Sequence, residues 1–418
     1  QMNSLKPMLL TSLKSYNRSQ FIKDVTAGII VAIIALPLSI ALALASGVGP
    51  EAGIFTAIVA GFVISALGGS SVQIAGPTAA FATIVAGIVA KDGMDGLVIA
   101  TILAGIFLVL MGLCHFGSLI KFIPFTITTG FTSGIAVTIV IGQLKDFFGL
   151  TYPDGVKPIE TTEKFRAVVE NFSTINIDAL IVGAVSLAVL IIAPYIFKRI
   201  PGSLIAVIIG ILMVQFLPLK VSTIGNLYTI SNSLPSFHLP AVSFEVVQNA
   251  LPNAFTIAVL AAIESLLSCV VADGMINGKH RSDMELVAQG AGNIASALFG
   301  GIPATGAIAR TAANIKNGGR TPIAGIVHSI TLVIVLVVLM PYAGMIPMPT
   351  IAAILFIVAY NMCQWRTFVK LVKTAPKSDI IVLFASFILT VLFDLVVAIE
   401  IGMVLACLLF IKRMSEET

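Results

Sequence analysis

Two short stretches with glycine and proline interrupt apolar sequence at corresponding places in the two halves of the chain. They are QIAGPTAAF, at Gln73–Phe81, and GGIPATGAI, at Gly300–Ile308. Backbone that is not helical inside a membrane must be buried in protein or line a wet cavity, because lipid cannot satisfy its N–H and C=O groups. A matched pair of interrupted segments therefore indicates the binding site of a secondary transporter.

Each stretch is expected to lead into a half-helix that begins near the middle of the membrane, with Pro77 and Pro303 in the first turn. A helix N-terminus presents free N–H groups and the positive end of the helix dipole, and both favour an anion. If the two halves are inverted copies, the two N-termini point at each other. The predicted anion ligands are the backbone N–H groups of Thr78–Ala80 and Gly306–Ile308, with the hydroxyl groups of Thr78 and Thr305.

Small side chains at these N-termini let an anion approach the backbone, although small residues in membranes also serve helix–helix packing. The matched positions of the two stretches favour the binding interpretation. Selectivity would then rest on the shape of the cavity. The predicted substrate-binding residues are Leu38, Leu42, Thr78, Ala79, Ala80, Phe81, Thr305, Gly306, Ala307, Ile308 and Arg310.

Arg310 is unusual because an arginine inside a membrane costs about 2.5–3.5 kcal/mol on insertion scales and usually faces a cavity or a partner. It lies two turns into the second expected half-helix. We expect it to add positive potential to the anion site or to pair with a carboxylate. The alternative is that its side chain extends to the cytoplasmic surface, where Lys316 and Arg320 follow.

Glu264, in the run AAIESLLSCVVAD, is the second charged residue expected inside the membrane. Ser268 follows four residues later and shares its helix face. A carboxyl group beside an anion site can carry a proton with the anion, or bind Na⁺ together with Ser268 and backbone carbonyls. The alternative is a structural ion pair with Arg310. Glu264 and Ser268 are thus the predicted ion-coupling residues, with H⁺ or Na⁺ as the coupling ion and no other cofactor.

The composition indicates an integral membrane protein. Of 418 residues, 58% are hydrophobic and 11% are charged, whereas a soluble domain carries about 25% charged residues. Apolar runs long enough to cross a bilayer recur from end to end. We predict an all-α protein with fourteen membrane segments, at about 26–46, 51–68, 77–91, 96–114, 122–142, 178–197, 200–217, 251–272, 284–300, 303–316, 323–341, 348–363, 378–396 and 397–412.

These segments divide into two halves of seven. Because seven is odd, the second half runs with the opposite orientation, which gives a 7+7 inverted repeat with half-helices at segments 3 and 10. The predicted units are a cytoplasmic N-terminal segment (1–25), the first repeat (26–217), a connection (218–250), the second repeat (251–412) and a C-terminal stub (413–418).

The distribution of basic residues predicts the topology. With both termini cytoplasmic, 17 of the 24 Lys and Arg residues lie on the cytoplasmic side, as the positive-inside rule requires. We expect a multi-pass protein of the cell (inner) membrane. Asp394 and Glu400 are expected at the hairpin between the last two segments.

Other reactive residues show no pattern of their own. The four cysteines have no CxxC spacing, and the four histidines lack the spacing of metal ligands. No Ser/His/Asp, nucleotide-binding or dinucleotide-binding pattern stands in a suitable loop, and the basic residues form no stripe for nucleic acid. We predict no enzyme, no metal site and no nucleic-acid partner.

Several long runs of the sequence resemble one family of membrane transporters. The run DVTAGIIVAIIALPLSIALALASGVGPEAGIFTAIVAGFVISALGGSSVQIAGPTAAFATIV resembles the first three helices of the SulP (sulfate-permease-type) anion transporters. The runs AAIESLLSCVVADGM and GGIPATGAIARTAANIKNGGRTPIAGIVHS resemble the eighth to eleventh helices, and the resemblance covers essentially the whole chain. It implies a core domain (helices 1–4 and 8–11) that moves against a gate domain (5–7 and 12–14) by an elevator mechanism, in a homodimer. The family's cytoplasmic STAS domain does not follow FIKRMSEET, so we expect a membrane domain without it, cut short or naturally lacking it.

The motifs GPTAAF, AIESLL and TVLFD make the chain most similar to the bacterial proton-coupled C4-dicarboxylate branch. Similarity to a cyanobacterial bicarbonate member implies that Thr78 and Ala307 match anion-site positions. Its sodium-site positions match Glu264, Ser268, Gly306 and Ile308. Glu264 replaces an aspartate and Ile308 a threonine ligand of that site, which favours protons over Na⁺. Arg310 matches a basic residue of the animal relatives.

Several functions remain open on this basis. The favoured one is proton-coupled symport of a dicarboxylate or small oxyanion (sulfate, bicarbonate). The alternatives are a Na⁺-coupled symporter, an anion exchanger, or an uncoupled anion channel for which Glu264 would be dispensable. A nucleobase:H⁺ symporter shares the implied fold, but the second half-helix has no carboxylate near Pro303 to bind a base.

Overall fold

The structure is a computed structural model that describes residues 5–393 and 395–418, so Asp394, expected at the last hairpin, lies outside the described residues. The α-helices are α1 (Met8–Ser12), α2 (Arg18–Ala45), α3 (Pro50–Leu67), α4 (Ala79–Leu113), α5 (Phe125–Phe148), α6 (Thr161–Glu170), α7 (Ile177–Ile196), α8 (Gly202–Phe216), α9 (Ile224–Leu227), α10 (Phe244–Ile276), α11 (Ser282–Leu298), α12 (Ile308–Lys316), α13 (Ile323–Leu339), α14 (Met348–Cys363), α15 (Trp365–Thr374), α16 (Lys377–Leu392) and α17 (Leu395–Glu417). Two strands, β1 (Ala75–Gly76) and β2 (Thr305–Gly306), interrupt this helical chain.

The long apolar helices establish a multi-pass membrane protein, as the composition predicts. Within the described residues, eight helical stretches are long and apolar enough to cross a bilayer. These are α2, α3, α4, α5, α7, α10, the stretch Ile323–Ala343 that begins with α13, and the stretch Met348–Thr374 that begins with α14.

Two of these helices begin earlier than hydropathy indicates. α2 begins at Arg18 and α10 at Phe244, instead of near 26 and 251. The side chains of Asn17 and Ser243 cap them, each accepting a hydrogen bond from the N–H group three residues later, at 2.8 and 3.3 Å. A polar cap of this kind stabilises a helix start, so both helices extend into polar sequence.

A break divides α4 into two parts. Gly93 has φ 74° and ψ −174°, which is not helical. The break falls between the segments predicted at 77–91 and 96–114. Only glycine adopts such a backbone conformation readily, so the first part of α4 ends here as a half-helix and the second part continues as a separate helix.

The long helices pack in two groups. The first bundle consists of α2, α3, α4 and α10 to α13; in it, α4 packs on α10 and α11, while α2 and α3 pack on α13. The second bundle consists of α5, α7, α8, α14, α16 and α17; in it, α5 packs on α14 and α16, and α7 packs on α14. The two bundles meet along less extensive contacts, chiefly of α4 with α5, α2 with α8 and α14, and α10 with α17.

The strand pair lies inside the first bundle. β1 and β2 are antiparallel, with Ala75 opposite Gly306 and Gly76 opposite Thr305. β1 contacts α3 and β2 contacts α10, and all four strand residues are buried. Each strand satisfies backbone groups of the other, which allows extended chain at this depth.

Candidate functional site

The strand pair places two helix N-termini in opposition. Thr78 is the N-cap of α4 and Ala307 is the N-cap of α12. Because the strands are antiparallel, the helices that follow them leave in opposite directions. The N–H group of Ala307 donates to the carbonyl of Ile74 at 2.9 Å, so Ala307 is level with Ile74. Thr78 lies four residues further along, or about 13 Å at the rise of an extended chain. The two N-termini therefore face each other across one short stretch of strand.

The prediction that Pro303 begins the second half-helix is wrong. α12 begins at Ile308, and Pro303 belongs to an extended segment before β2. This segment is held by side chains from other helices. The N–H group of Ile302 donates to Oγ1 of Thr56 at 2.8 Å, and the N–H group of Ala304 donates to Oδ1 of Asn293 at 2.8 Å. Pro77 likewise precedes the N-cap of α4 instead of lying in its first turn.

The hydroxyl groups expected to bind an anion have different surroundings. Oγ1 of Thr78 is buried and has no hydrogen-bond partner among the described residues, nor does it cap α4. The Thr305 hydroxyl instead donates to the carbonyl of Ala261 at 3.1 Å. The N–H group of Ala307, predicted as an anion ligand, is occupied by its bond to Ile74. The first N–H groups of α4 and α12 have no intrahelical partner by helix geometry.

Two glycines of the strand pair make room for polar side chains. A Cβ atom on Gly76 would collide with Nη1 of Arg310, and a Cβ atom on Gly306 would lie 2.6 Å from Nε2 of Gln73. The sequence predicts that Gly306 and its small neighbours admit the substrate. At Gly76 and Gly306, the space that a side chain would fill is taken by a guanidinium and a carboxamide.

Arg310 lies against the end of β1. Its side chain is buried, with 3% exposed, and Nη2 donates to the carbonyl of Pro77 at 3.2 Å. Nη1 is buried without a hydrogen-bond partner in the part of the chain that the structure describes, where Arg310 also forms no ion pair. The alternatives of extension to the cytoplasmic surface and of pairing with Glu264 are therefore both wrong. One N–H edge of the guanidinium remains available beside the strand pair.

Glu264 and Ser268 lie on a face of α10 that meets β2. The bond from Thr305 to Ala261 fixes this contact, and residues 261, 264 and 268 follow one another along one helix face. Glu264 is partly exposed and makes no hydrogen bond or ion pair with any residue in 5–393 or 395–418. The Ser268 hydroxyl is buried and lacks a hydrogen-bond partner within the same ranges. Both side chains are thus available to an ion.

The remaining predicted site residues differ in burial. Leu42 and Phe81, with 4% and 1% exposed, belong to the main hydrophobic core, and Leu38 packs against it. Ala80 is buried and Ala79 is half-buried, whereas Ile308 is 41% exposed at the first position of α12. Leu42 and Phe81 are therefore packed in the core, whereas the Ile308 side chain is open to its surroundings.

A cavity of about 370 Å³ lies beside α10, on the face next to that of Glu264. Ile263, Leu266, Leu267 and Val270 form one wall, and residues between 117 and 128 form the other, at the boundary of the two bundles. Ile263 and Leu267 are the neighbours of Glu264 along the chain and on the helix face. Glu264 itself does not line the cavity, which borders the adjacent face of α10.

α11 carries two buried polar residues one turn apart, Glu285 and Gln289, which were not among the predicted site residues. Glu285, fully buried, accepts hydrogen bonds from the N–H groups of Gly69 and Ser70, at 2.9 and 3.2 Å, and from Nε2 of Gln73 at 2.5 Å. Nε2 of Gln289, one turn along, donates to the same carboxylate at 2.9 Å. The i, i+4 spacing of polar residues in a predicted membrane segment is the signal that identifies such a row. Through Gln73, Glu285 positions the chain that enters β1 and touches β2.

His328 was also missed. It lies on α13, fully buried, and neither ring nitrogen has a hydrogen-bond partner among the residues the structure describes. A Cβ atom on Gly61 of α3 would lie 3.7 Å from Cε1 of His328 and 3.2 Å from the carbonyl of Ala75 in β1. His328 therefore lies close to β1, on the side of β1 that faces α3. Four histidines scattered in sequence gave no sign of this placement.

A helical membrane bundle that contains two opposed half-helices joined by a buried strand pair is the architecture of a secondary transporter. The chain belongs to the sulfate permease family, whose model matches residues 21–386. The Bacillus subtilis (strain 168) protein named "Putative sulfate transporter YvdB" is 43% identical over 411 residues, which are 97% of this chain and 76% of that protein. The bicarbonate transporter BicA of Picosynechococcus sp. is 33% identical over 403 residues, 94% of this chain and 70% of that protein.

Solved structures agree with this assignment. The transmembrane domain of a cyanobacterial bicarbonate transporter BicA matches with a TM-score of 0.82 and 29% identity, over 92% of this chain and 98% of that one. The structure of SLC26A9 matches with a TM-score of 0.88 over 99% of this chain and 68% of that one, at 21% identity, which shows a shared fold. The family and these relatives are transporters, so the prediction that the chain is not an enzyme is confirmed.

Proposed function

We propose that the chain is a secondary active anion transporter that couples uptake of a dicarboxylate, or of a small oxyanion such as sulfate or bicarbonate, to protons. The observation that carries the proposal is the placement of two helix N-termini at opposite ends of one buried strand pair, next to the hydroxyl of Thr78 and the guanidinium of Arg310. Helix N-termini and an arginine edge attract anions. The names of the relatives, a putative sulfate transporter and a bicarbonate transporter, support a small oxyanion.

The anion would lie beside the strand pair, with the first N–H groups of α4 and α12, the Thr78 hydroxyl and Nη1 of Arg310 as its ligands. About 13 Å separates the two N-caps along the strands, and a hydrogen bond of about 2.9 Å at each end leaves roughly 7 Å. A C4 dicarboxylate fills that span with one carboxylate at each helix. Sulfate or bicarbonate would bind mainly at one end, next to Arg310. This span supports the proposed similarity to the C4-dicarboxylate branch.

Glu264 is the proposed coupling group. Its carboxyl group is partly exposed, so that a proton can reach it, and it forms no ion pair with a basic residue in the part of the chain that the structure describes. Ser268 offers a hydroxyl oxygen one turn away and would complete a Na⁺ site. However, Ile308 presents an alkyl group where an oxygen ligand would be needed, which favours protons.

The two bundles support an elevator mechanism. The first bundle carries the whole candidate site and would be the moving core domain, and the second would be the gate domain. Inverted repeats require that each contact between two helices recurs between their counterparts in the other repeat. If α2 corresponds to α10 and α13 to the second part of α4, the contact of α2 with α13 recurs as that of α10 with α4. If α5 corresponds to α14 and α16 to α7, the contact of α5 with α16 recurs as that of α14 with α7. We propose fourteen membrane segments with repeats at 26–217 and 251–412, separated by the connection at 218–250, in a homodimer.

The proposed location is the cell (inner) membrane with both termini cytoplasmic. The excess of Lys and Arg in the loops on one side supports this orientation. In it, the N-terminal segment 1–25 and the stub 413–418 lie on the cytoplasmic side.

Uptake into proteoliposomes tests the proposal. Labelled succinate, fumarate, sulfate and bicarbonate would each be offered with an inward proton gradient, with an inward Na⁺ gradient, and with neither. The proposal expects accumulation of at least one anion above equilibrium only with the proton gradient. Accumulation driven by Na⁺ alone would replace H⁺ by Na⁺ as the coupling ion. Equilibration without accumulation under every gradient would indicate an uncoupled channel and overturn symport.

A further inference from the structure

The helix between α14 and α16 differs from the others in the second bundle. α15 is ten residues long, WRTFVKLVKT, and none of its residues is buried. Gln364, in the left-handed region with φ 47° and ψ 51°, breaks the chain before it, and extended Ala375 and Pro376 break the chain after it. α14 and α16 both pack on α5. Since α15 is about 15 Å long, it connects two neighbouring membrane helices at one surface of the bilayer.

The two faces of α15 are separate in character. At 100° per residue, the apolar side chains occupy one half of the helix and the basic ones fall within about 60° of each other on the opposite half. The apolar set is Trp365, Phe368, Val369, Leu371 and Val372; the basic set is Arg366, Lys370 and Lys373. A short helix with an aromatic-containing apolar half and a basic half is suited to the boundary between acyl chains and headgroups.

Part of the apolar half of α15 packs against α16. The Phe368 ring packs edge-on against Phe384 and Phe387 of α16, with ring centroids 5.6 and 5.5 Å apart. Trp365 and Val369 remain 47% and 39% exposed. The Trp365 ring and the Val369 methyl groups are therefore open to the surroundings of the protein.

The basic half carries charge that the protein does not neutralise. Between Gln364 and Ser378 the chain has four basic residues and no acidic one. Within residues 5–393 and 395–418, Arg366, Lys370 and Lys373 form no ion pair, and the nearest carboxylate along the chain, Asp379, is 3.5 Å from Arg413 of α17. The negative charge that complements this stripe must come from outside the described chain.

We propose that α15 is a binding surface for anionic phospholipid headgroups, which anchors the second bundle to one leaflet. The basic stripe would bind headgroup phosphates while Trp365 inserts beside the acyl chains. Each basic residue near an anionic membrane surface strengthens binding to that surface about fivefold. Because α15 lies between α14 and α16 and contacts α5, lipid held there steadies the bundle that does not carry the candidate site.

The chain contains its own reporter for a test. Trp365 is its one tryptophan, so tryptophan fluorescence of the whole protein reports on α15 alone. The full chain would be reconstituted in phosphatidylcholine vesicles with a minority of phosphatidylglycerol, with brominated acyl chains on one lipid or the other. The proposal expects brominated phosphatidylglycerol to quench Trp365 several-fold more per mole than brominated phosphatidylcholine. The preference should disappear at about 1 M salt, where the Debye length falls to about 3 Å.

Two matched variants separate α15 from general surface charge. The triple variant R366Q/K370Q/K373Q should lose the preference for phosphatidylglycerol while quenching by phosphatidylcholine persists, which shows that the protein is folded and inserted. The control K198Q/R199Q/K279Q removes three exposed basic residues elsewhere and should keep the preference.

Three outcomes would overturn the proposal. Equal preference in the wild type and the α15 variant would remove the basic stripe from lipid binding. Loss of the preference on adding millimolar inorganic phosphate would make the surface a site for free phosphate. Absence of quenching by either brominated lipid would mean that α15 is covered by protein, such as a further domain or a second copy of the chain.

Discussion

Replacing Gly76 with alanine isolates the contribution of Arg310 to anion binding without touching any proposed ligand. A Cβ atom at position 76 would collide with Nη1 of Arg310, while Ala57, its other neighbour, would be at an ordinary 3.7 Å. The guanidinium is the far end of a flexible side chain and must retreat by about 1 Å to restore van der Waals contact. Its 3.2 Å bond to the carbonyl of Pro77 is then broken, and Nη1 no longer points at the site.

The expected size follows from the lost bond to the anion. A hydrogen bond to a charged group contributes about 1.5–3 kcal/mol, so G76A should weaken anion binding roughly 10- to 150-fold. Scintillation proximity with labelled succinate or sulfate on the purified protein measures the dissociation constant. G87A, on the same half-helix with open space around the new methyl group, should bind like the wild type.

A double-mutant cycle identifies the cause. If G76A acts through the guanidinium, adding it to R310Q should change the dissociation constant little. Full additivity of the two substitutions would show that Gly76 matters for the backbone of β1 and would refute the role given to Arg310. Wild-type affinity of G76A itself would have the same consequence.

Four further predictions rest on other parts of the structure. T78V should weaken anion binding about tenfold or more at unchanged thermal stability, since the hydroxyl does not cap α4; a larger effect on melting than on binding would contradict this. E264Q should abolish accumulation driven by a proton gradient but keep anion binding and exchange, measured in proteoliposomes; retained accumulation would exclude Glu264 as the coupling group. E285A should lower thermal stability, by about 3 kcal/mol or more, because it leaves the buried N–H groups that this carboxylate accepts without an acceptor; a wild-type melting curve would contradict this. Burial, and then the hydrogen bond to Asp24 at 2.6 Å, raise the pKa of Tyr16 to about 12. The protonated phenol therefore stabilises the fold below pH 10, and this stabilisation is lost as the pH rises toward 12. The difference between the ultraviolet titrations of the wild type and Y16F measures this pKa.

The location of the candidate site could be predicted from sequence because its signals are local. Glycine and proline inside apolar sequence mark the chain at Gln73–Phe81 and Gly300–Ile308, and both stretches contribute a strand and a helix N-terminus. A carboxylate in an apolar run likewise identified α10 as a helix beside them. These inferences need only helix length, hydropathy and the cost of polar groups in lipid.

The arrangement inside the site could not be predicted because it depends on contacts distant in sequence. Pro303 is held outside α12 by side chains from α3 and α11, Thr56 and Asn293. The Arg310 guanidinium can lie beside β1 because Gly76, more than 230 residues earlier in the chain, has no side chain there. The row on α11 that begins at Glu285 is visible in the sequence as i, i+4 spacing, but its partners in the turn before β1 are not.

The most direct test of the central claim is the position of the bound anion. The protein would be imaged by cryo-electron microscopy in vesicles or nanodiscs with whichever anion the uptake assay selects, and without it. The account predicts added density beside the strand pair, within hydrogen-bonding distance of the Thr78 hydroxyl and, for a dicarboxylate, also of the first turn of α12. Density of the transported anion anywhere else in the protein, with this region unchanged, would contradict it.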